Sequence, residues 1–208
     1  MGRHVPIPGI YENDGRVEHY YDPFSLLFKE RIIILGTPVD DFVSNLVVAQ
    51  LLYLDQQNPQ REIQLYINCP GGAIYPGMAI YDTMQMVRAP IRTIAVGLTA
   101  SLGTLLLASG RKGKRMALPH ATIHMHPAGG GAQGYTPDVE IQYKELKRMQ
   151  DLLHTIMAKH TGQTVARIAE DFDRDYFMDP ATAVEYGIID EVIAIEQEEQ
   201  PAEGKKEG

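Results

Sequence analysis

The chain has 208 residues, a hydrophobic share of 44%, a charged share of 22% and a formal net charge of -8. These values are typical of one globular domain and argue against a fibrous or wholly disordered protein. The acidic balance argues against a nucleic-acid-binding protein, because phosphate contacts require an excess of Lys and Arg on one face. The single cysteine, Cys69, cannot form an intramolecular disulfide, and a lone thiol favours a cytoplasmic location.

Neither a targeting signal nor a membrane span is expected. The N-terminal segment MGRHVPIPGIYEND contains two prolines and lacks the apolar core of a secretory signal peptide. Residues 93–110 carry no charge, but the stretch is short for a membrane span and contains several Ser, Thr and Gly residues. It divides at Gly97 into a β-branched half and a Leu-rich half, which predicts a buried strand followed by a buried helix.

Along the chain, short β-branched segments alternate with longer segments of helical period, which is typical of an α/β domain. The predicted strands are 32–36, 62–68, 91–97 and 121–125. The predicted helices are 41–57 (with Asp40 or Asp41 as cap), 77–87, 102–108, 138–160 and 164–171. The basic cluster of Arg111, Lys112, Lys114 and Arg115 surrounds Gly113 and is interpreted as a solvated turn. Residues from 196 onward lack large apolar side chains, which predicts a disordered tail.

Ser101 lies between the predicted strand IRTIAVG and the helical segment LGTLLLA. A small hydroxyl at such a junction can cap the helix, and capping serines greatly outnumber nucleophilic ones. Its context, TASLG, is not the G-x-S-x-G motif of α/β-hydrolases. Taken alone, Ser101 is therefore interpreted as an N-cap, with a nucleophile as the alternative.

Three histidines, His120, His124 and His126, lie in or next to the predicted strand at 121–125 and share one face, because side chains alternate along a strand. His124 and His126 form an H-x-H pair of the kind that chelates zinc, but the segment offers no carboxylate or thiolate to complete a ligand shell. A structural histidine is the larger alternative. Asp175 lies in the charged segment DFDRDYFM, which by default predicts a solvated surface.

A longer pattern, spread over residues 21–193, changes these interpretations. It consists of ERIIILG, VAQLLYLD, YINCPGG, GMAIYDTMQ, ASLGTLLLASGRKGKRMALPH, GGAQG, AKHTGQ, DRDYFM and AVEYGIIDEVI. Through these segments the chain resembles the proteolytic subunits of the Clp protease family. It implies an α/β fold of the crotonase-like type, a superhelix of strand-strand-helix units with a protruding helical handle. The catalytic domain would span 21–193, preceded by an axial-loop or propeptide segment at 1–20 and followed by an acidic disordered tail at 194–208.

The resemblance also implies a serine endopeptidase. The family's nucleophile, base and orienting acid fall on Ser101, His126 and Asp175, and its oxyanion-binding N–H groups fall on Gly72 and Leu102. In such a triad the histidine takes the serine proton, the aspartate orients the imidazole, and the serine attacks the peptide carbonyl. No metal or organic cofactor is implied, and the sequence contains no P-loop motif for ATP.

Assembly is a further implication of the resemblance. Two stacked heptameric rings would enclose the active sites, either as homomers or mixed with paralogous subunits. The long helix and GGGAQG at 129–134 would form the contact between rings, where Asp173 and Arg174 would make ion pairs. A hexameric Clp AAA+ ATPase would deliver unfolded polypeptides, which would bind as an added β-strand.

Two other functions compete with a peptidase. One is a crotonase-type acyl-CoA hydratase or hydrolase, which shares the fold but does not need Ser101, His126 and Asp175 together. The other is a non-catalytic ring subunit, which belongs to a structural class of protein. The presence of all three triad residue types argues against both.

Overall fold

The computed structural model describes residues 8–13, 15 and 17–194. The predicted disordered tail from residue 196 lies outside the described residues, as does the first part of the predicted axial-loop segment. Nine strands and seven helices are found in the described part. The strands are β1 (Ile10–Asn13), β2 (Glu18–Tyr21), β3 (Ile32–Leu35), β4 (Ile63–Cys69), β5 (Ile91–Ala100), β6 (Arg115–Ala117), β7 (Thr122–Met125), β8 (Tyr176–Met178) and β9 (Glu191–Val192). The helices are α1 (Pro23–Lys29), α2 (Asp41–Gln57), α3 (Ile74–Met86), α4 (Leu102–Ala108), α5 (Thr136–Thr161), α6 (Val165–Asp171) and α7 (Pro180–Tyr186).

The main sheet is mostly parallel. β3, β4, β5, β6 and β9 lie side by side in this order, and each adjacent pair is parallel. β5 is long enough to pair with two further strands: residues 93–95 lie beside β6, and residues 98–100 lie beside β7. Between these stretches Gly97 adopts φ 62, a conformation that suits glycine and lets the strand turn from one partner to the next. β7 also pairs antiparallel with β8. One region of the sheet therefore contains the C-terminal end of β5 together with β7 and β8.

The core lies between this sheet and the helices that pack on it. Ile63, Leu65 and Ile67 alternate along β4 and are fully buried, and every residue of α4 is buried too. Burial of a side chain of this size contributes about 1.5–3 kcal/mol relative to leaving it exposed. The prediction of a buried strand and a buried helix over 93–110 is confirmed, although the break falls at Ser101 and not at Gly97. None of the described helices is long and apolar enough to cross a membrane.

The long helix α5 projects from the core over its first half. Its buried residues, Met149, His154, Ile156 and Met157, all lie in the second half, whereas the first half is largely exposed. Together with the parallel sheet and its covering helices, this confirms the predicted α/β fold with a protruding helical handle.

Most predicted elements are confirmed, with differences at their ends. α2 spans the predicted residues and is capped by Asp40, whose carboxylate accepts a hydrogen bond from the N–H of Val43 (2.8 Å). α3 begins at Ile74, earlier than predicted, because Pro76 is tolerated within the first turn of a helix. The unpredicted elements are the helices α1 and α7 and the short strands β1, β2, β6, β8 and β9.

The interpretation of the basic cluster as a solvated turn is wrong for Arg115, which is only 4% exposed. Its guanidinium donates hydrogen bonds to both carboxylate oxygens of Asp190 (2.6 and 2.9 Å). It also donates to the carbonyls of Ala108, His160 and Gly187, at 2.8–3.3 Å. These carbonyls lie at the C-terminal ends of α4, α5 and α7, where helices leave acceptors without partners. Arg115 therefore joins three helix ends inside the molecule.

Candidate active site

Ser101 occupies a strained turn between β5 and α4. Its backbone has φ 55 and ψ -121, a conformation that residues other than glycine rarely adopt. The turn is held by the N–H of Ser101, which donates to the carbonyl of His124 (2.9 Å), and by the hydroxyl of Thr104, which donates to the carbonyls of Thr99 and His124. The Ser101 side chain makes no capping hydrogen bond, so the interpretation of this residue as an ordinary N-cap is wrong. It lines a cavity instead.

Two glycines bring the loop after β4 against Ser101. A Cβ atom on Gly71 would lie 2.6 Å from Ser101 Cβ, and one on Gly72 would collide with the backbone of Val39. Val39 is bridged to this loop by its N–H, which donates to Gly71, and by its carbonyl, which accepts from Ala73, both at 2.8 Å. This pairing turns the N–H of Gly72 away from Val39, and the amide donates to no acceptor in the described part of the chain.

The N–H of Leu102 is a second unbonded donor. Leu102 is the first residue of α4, and the N–H groups of a first helical turn have no acceptor within the helix. Like that of Gly72, its amide finds no acceptor among residues 8–13, 15 and 17–194. Both residues line the cavity that Ser101 lines. Two backbone donors beside a hydroxyl are the arrangement that stabilises an oxyanion.

The cavity has a volume of about 180 Å³ and lies between Ser101 and the second half of α5. His126, which follows β7, lines the cavity together with Ser101, Gly72 and Leu102. Its Nδ1 donates a hydrogen bond to the carbonyl of Pro127 (2.7 Å), which leaves Nε2 as the acceptor of the ring. The rest of the wall is mainly apolar and includes Ile74, Leu105, Met125, Leu153, Met157 and Phe172.

Asp175 is hydrogen-bonded to His124 and not to His126. Its Oδ1 lies 3.0 Å from Nε2 of His124, and the ring of His124 stacks on Phe177 at 4.0 Å between centroids. The rings of His124 and His126 are 5.4 Å apart between centroids. No hydrogen bond joins His126 to either Ser101 or Asp175 in the described chain. The structure thus brings Ser101, His126 and both backbone donors together, and it places Asp175 beside this group.

The register of the β7–β8 ladder shows where Asp175 lies relative to the two histidines. His124 pairs with Phe177 and Met125 pairs with Tyr176 in this antiparallel ladder. Extended by one more pair, the ladder would place Asp175 directly opposite His126. Directly opposite residues have Cβ atoms about 4.5–5.5 Å apart, whereas diagonal neighbours are about 7–8 Å apart. In this structure, however, Asp175 is hydrogen-bonded to His124, which is its diagonal neighbour in the ladder.

The remaining predicted site residues lie outside this cavity. Asp173 and Arg174 are exposed and pair with each other, with 3.1 Å between Arg174 Nη1 and Asp173 Oδ2. No group of three or more His, Cys, Asp or Glu side chains is arranged to hold a metal ion in the described part of the chain. The H-x-H pair of His124 and His126 therefore has no third ligand from these residues.

Two residues that the sequence did not predict also line the cavity. His154 and Gln150 reach it from α5, one helical turn apart. The available signal was a histidine among the apolar residues Met149, Leu153 and Met157, on the face of the helix that is buried.

Comparisons with known proteins agree on one family. The sequence model of the Clp protease family matches residues 15–196. A protein of Dehalococcoides mccartyi strain BAV1, named ATP-dependent Clp protease proteolytic subunit, is 54% identical over 187 residues, which are 90% of this chain and 94% of the relative. A Deinococcus radiodurans protein of the same name is 52% identical over 187 residues, which are 90% of this chain and 92% of the relative.

Proposed function

This chain belongs to the Clp protease family, and we propose that it hydrolyses peptide bonds with Ser101 as nucleophile, His126 as base and Asp175 as the orienting acid. Its activity is that of a serine-type peptidase. The observation that carries the residue assignment is the shared cavity, in which the strained Ser101 and His126 face two unbonded backbone N–H groups. A structural N-cap and a structural histidine do not require those donors.

The reaction follows from this geometry. Nε2 of His126 accepts the proton of the Ser101 hydroxyl while the oxygen attacks the peptide carbonyl carbon. The N–H groups of Gly72 and Leu102 donate to the oxyanion that forms, an interaction that each typically contributes about 2.7–4 kcal/mol to catalysis. His126 then gives its proton to the leaving amine, and an acyl-enzyme remains on Ser101. Water, deprotonated by His126, attacks the ester, and the acid product leaves with Ser101 protonated again.

Asp175 must change partner for this cycle to run. When the imidazole of His126 is protonated, its Nδ1–H needs an anionic acceptor, and the carbonyl of Pro127 is a neutral one. Continuation of the β7–β8 ladder by one pair sets Asp175 opposite His126, so the exchange from His124 requires a local movement of the segment before β8. In the active form Asp175 accepts the Nδ1–H of His126, and in the form described above it is held by His124.

Assembly supplies the setting in which this exchange takes place. We place the catalytic domain at 21–193, an axial segment at 1–20 and an acidic tail at 194–208, in two stacked heptameric rings of this chain alone or of mixed subunits. The exposed first half of α5 and the loop at 129–134 suit a ring-to-ring contact. A hexameric Clp AAA+ ATPase feeds unfolded polypeptides into the chamber in the cytoplasm, and it binds the ATP that this chain does not bind.

The test is labelling with a serine-directed fluorophosphonate, read by native mass spectrometry of the assembled protein. We expect one label per subunit in the wild type, none in Ser101→Ala, and a fall in peptidase kcat of at least about 10⁴-fold in that variant with assembly intact. Ser109→Ala is the matched control, because Ser109 lies at the other end of α4, where its hydroxyl donates to the carbonyl of Leu105. Peptidase activity that persists in Ser101→Ala, free of host protease, would contradict the assignment. Hydrolysis of an acyl-CoA with no peptide cleavage would favour the crotonase alternative.

A further inference from the structure

The cavity beside Ser101 contains a buried histidine that the catalytic cycle does not use. His154 is only 8% exposed and lines the cavity from α5, and Gln150 lies one turn before it on the same side of the helix. Neither side chain makes a hydrogen bond within the part of the chain that the structure describes. Their polar atoms are therefore available to a group that enters the cavity, and a hydrogen bond made there would be shielded from bulk solvent.

The position of the cavity identifies the part of a substrate that enters it. Its wall includes the nucleophile Ser101 and the two oxyanion donors, Gly72 and Leu102. A peptide whose carbonyl oxygen lies on those donors directs the side chain of the same residue into the adjacent space. The volume of about 180 Å³ accommodates a medium-sized side chain, since an apolar cavity of about 150 Å³ holds a benzene molecule.

We propose that His154, together with Gln150, determines specificity by selecting a neutral side chain with a hydrogen-bonding end, such as Tyr or Gln, on the residue whose carbonyl Ser101 attacks. This inference rests on the proposed function, because it concerns the same site. The apolar wall formed by Leu153, Met157 and Phe172 packs against the stem of such a side chain, and the imidazole and the amide receive its polar end.

The protonation state of His154 agrees with this selection. Burial lowers the pKa of His154 below its usual value, and the charge of Asp151 only partly opposes this effect. The ring is therefore neutral at pH 7, with one nitrogen that donates and one that accepts. Together with the Gln150 amide it offers both donors and acceptors, which suits an amide or a phenol. Charged side chains are disfavoured because no Asp, Glu, Lys or Arg is among the described residues that line the cavity, and burial of an unpaired ion is expensive.

The experiment compares peptides that differ only at this residue, in the isosteric pairs Tyr against Phe and Gln against norleucine. The enzymes are the assembled wild type, His154→Leu, His154→Asn and, as a control, His120→Asn at an exposed histidine outside the cavity. We expect wild-type kcat/KM to favour Tyr over Phe and Gln over norleucine by about tenfold, the effect of one hydrogen bond with a buried partner. His154→Leu should abolish or reverse this preference, His154→Asn should restore part of it, and His120→Asn should leave it unchanged.

Three results decide against the proposal in different ways. Equal cleavage of both members of each pair by the wild type overturns the specificity inference and leaves the peptidase function intact. An equal fall of kcat/KM for all four peptides in His154→Leu, with the preference unchanged, shows a structural or catalytic role and also overturns it. Failure of the labelled, assembled wild type to cleave any peptide overturns the proposed function and the inference with it.

Discussion

His124 lies in β7 and His126 directly follows this strand, yet their surroundings give them different properties. His124 is fixed by its stack on Phe177 and by its hydrogen bond to Asp175, whereas His126 faces the cavity with Ser101. Because His124 holds Asp175 away from His126, it competes with the proposed triad and is not a member of it. The side chain of Asp175 is 69% exposed, so the hydrogen bond to His124 is screened by solvent and can be exchanged at little free-energy cost.

We expect the two histidines to respond oppositely to substitution. His126→Ala removes the base and should lower kcat by at least about 10⁴-fold, as loss of a triad member does. His124→Phe keeps the stacking on Phe177, removes the hydrogen bond to Asp175, and should leave peptidase activity equal to or above that of the wild type. Steady-state cleavage of a fluorogenic peptide by both assembled variants measures the difference.

The alternative interpretation, a zinc site, predicts a different result for these two variants. If His124→Phe were as damaging as His126→Ala, and the wild type bound stoichiometric zinc by elemental analysis, then the two histidines would be ligands and the triad assignment would be wrong.

At the scale of elements, one buried ion pair joins several parts of the fold. Arg115 in β6 pairs with Asp190, which precedes β9, and donates to carbonyls at the ends of three helices. Burial alone would raise the pKa of Asp190, but hydrogen bonds from the side chain and backbone of Arg115 outweigh it and hold the pKa below its usual value. Because the folded-state pKa is depressed, this stabilisation is complete above the unfolded pKa of about 3.9 and is lost as pH falls through the folded value.

We expect Arg115→Met to lower the free energy of unfolding by about 3 kcal/mol at pH 7, because it leaves a largely buried carboxylate without its guanidinium partner. The difference from the wild type should shrink in acid, where Asp190 becomes protonated and needs no cation. Arg111→Met, at an exposed position of the same basic cluster, should change stability by less than about 0.5 kcal/mol. Urea unfolding of the three proteins at several pH values tests this, and a pH-independent deficit in Arg115→Met would contradict it.

The longest of the predicted elements have enough residues to show a period. α2 and α5 repeat their apolar residues over several turns, and β4 alternates buried and more exposed side chains over seven residues. The strands β6, β8 and β9 have two or three residues, too few for any alternation to be visible. The short helices α1 and α7 did leave a signal, since each begins with an Asp cap followed by Pro, at Asp22 and Asp179.

The site was predictable only in its residue identities. Family motifs pointed to Ser101, His126, Gly72 and Leu102, and the structure brings these four to one cavity. The strained backbone of Ser101, the choice of Asp175 between two histidines and the burial of Arg115 all depend on tertiary packing, which a single sequence does not display. For the same reason, the periodicity of α5 did not show that His154 lines the cavity that Ser101 lines.

At the scale of the whole molecule, the segment before β8 connects the predicted ring contact with the active site. The side chains of Asp173 and Arg174 are 71% and 86% exposed, and their mutual ion pair lies on the surface. Such a pair contributes at most about 1 kcal/mol, so it can be exchanged for a partner in the opposite ring. The next residue is Asp175, which in the single chain is held by His124. Docking of the rings would move this short segment and transfer Asp175 to His126.

We therefore expect Arg174→Ala to separate the rings and to lower peptidase activity by at least about tenfold, although no catalytic residue is changed. Loss of the guanidinium leaves a carboxylate of the opposite ring uncompensated at the contact, and the relaxed segment leaves Asp175 on His124. The sedimentation coefficient, measured by sedimentation velocity, and the rate of peptide cleavage should fall together. Arg167→Ala is the matched control, because Arg167 is also exposed but pairs within α6 with Asp171 (2.6 Å), and it should keep both assembly and activity. If Arg174→Ala sedimented as an intact double ring with full activity, the coupling would be wrong, Arg174 would be a solvated surface charge, and the triad assignment would be unaffected.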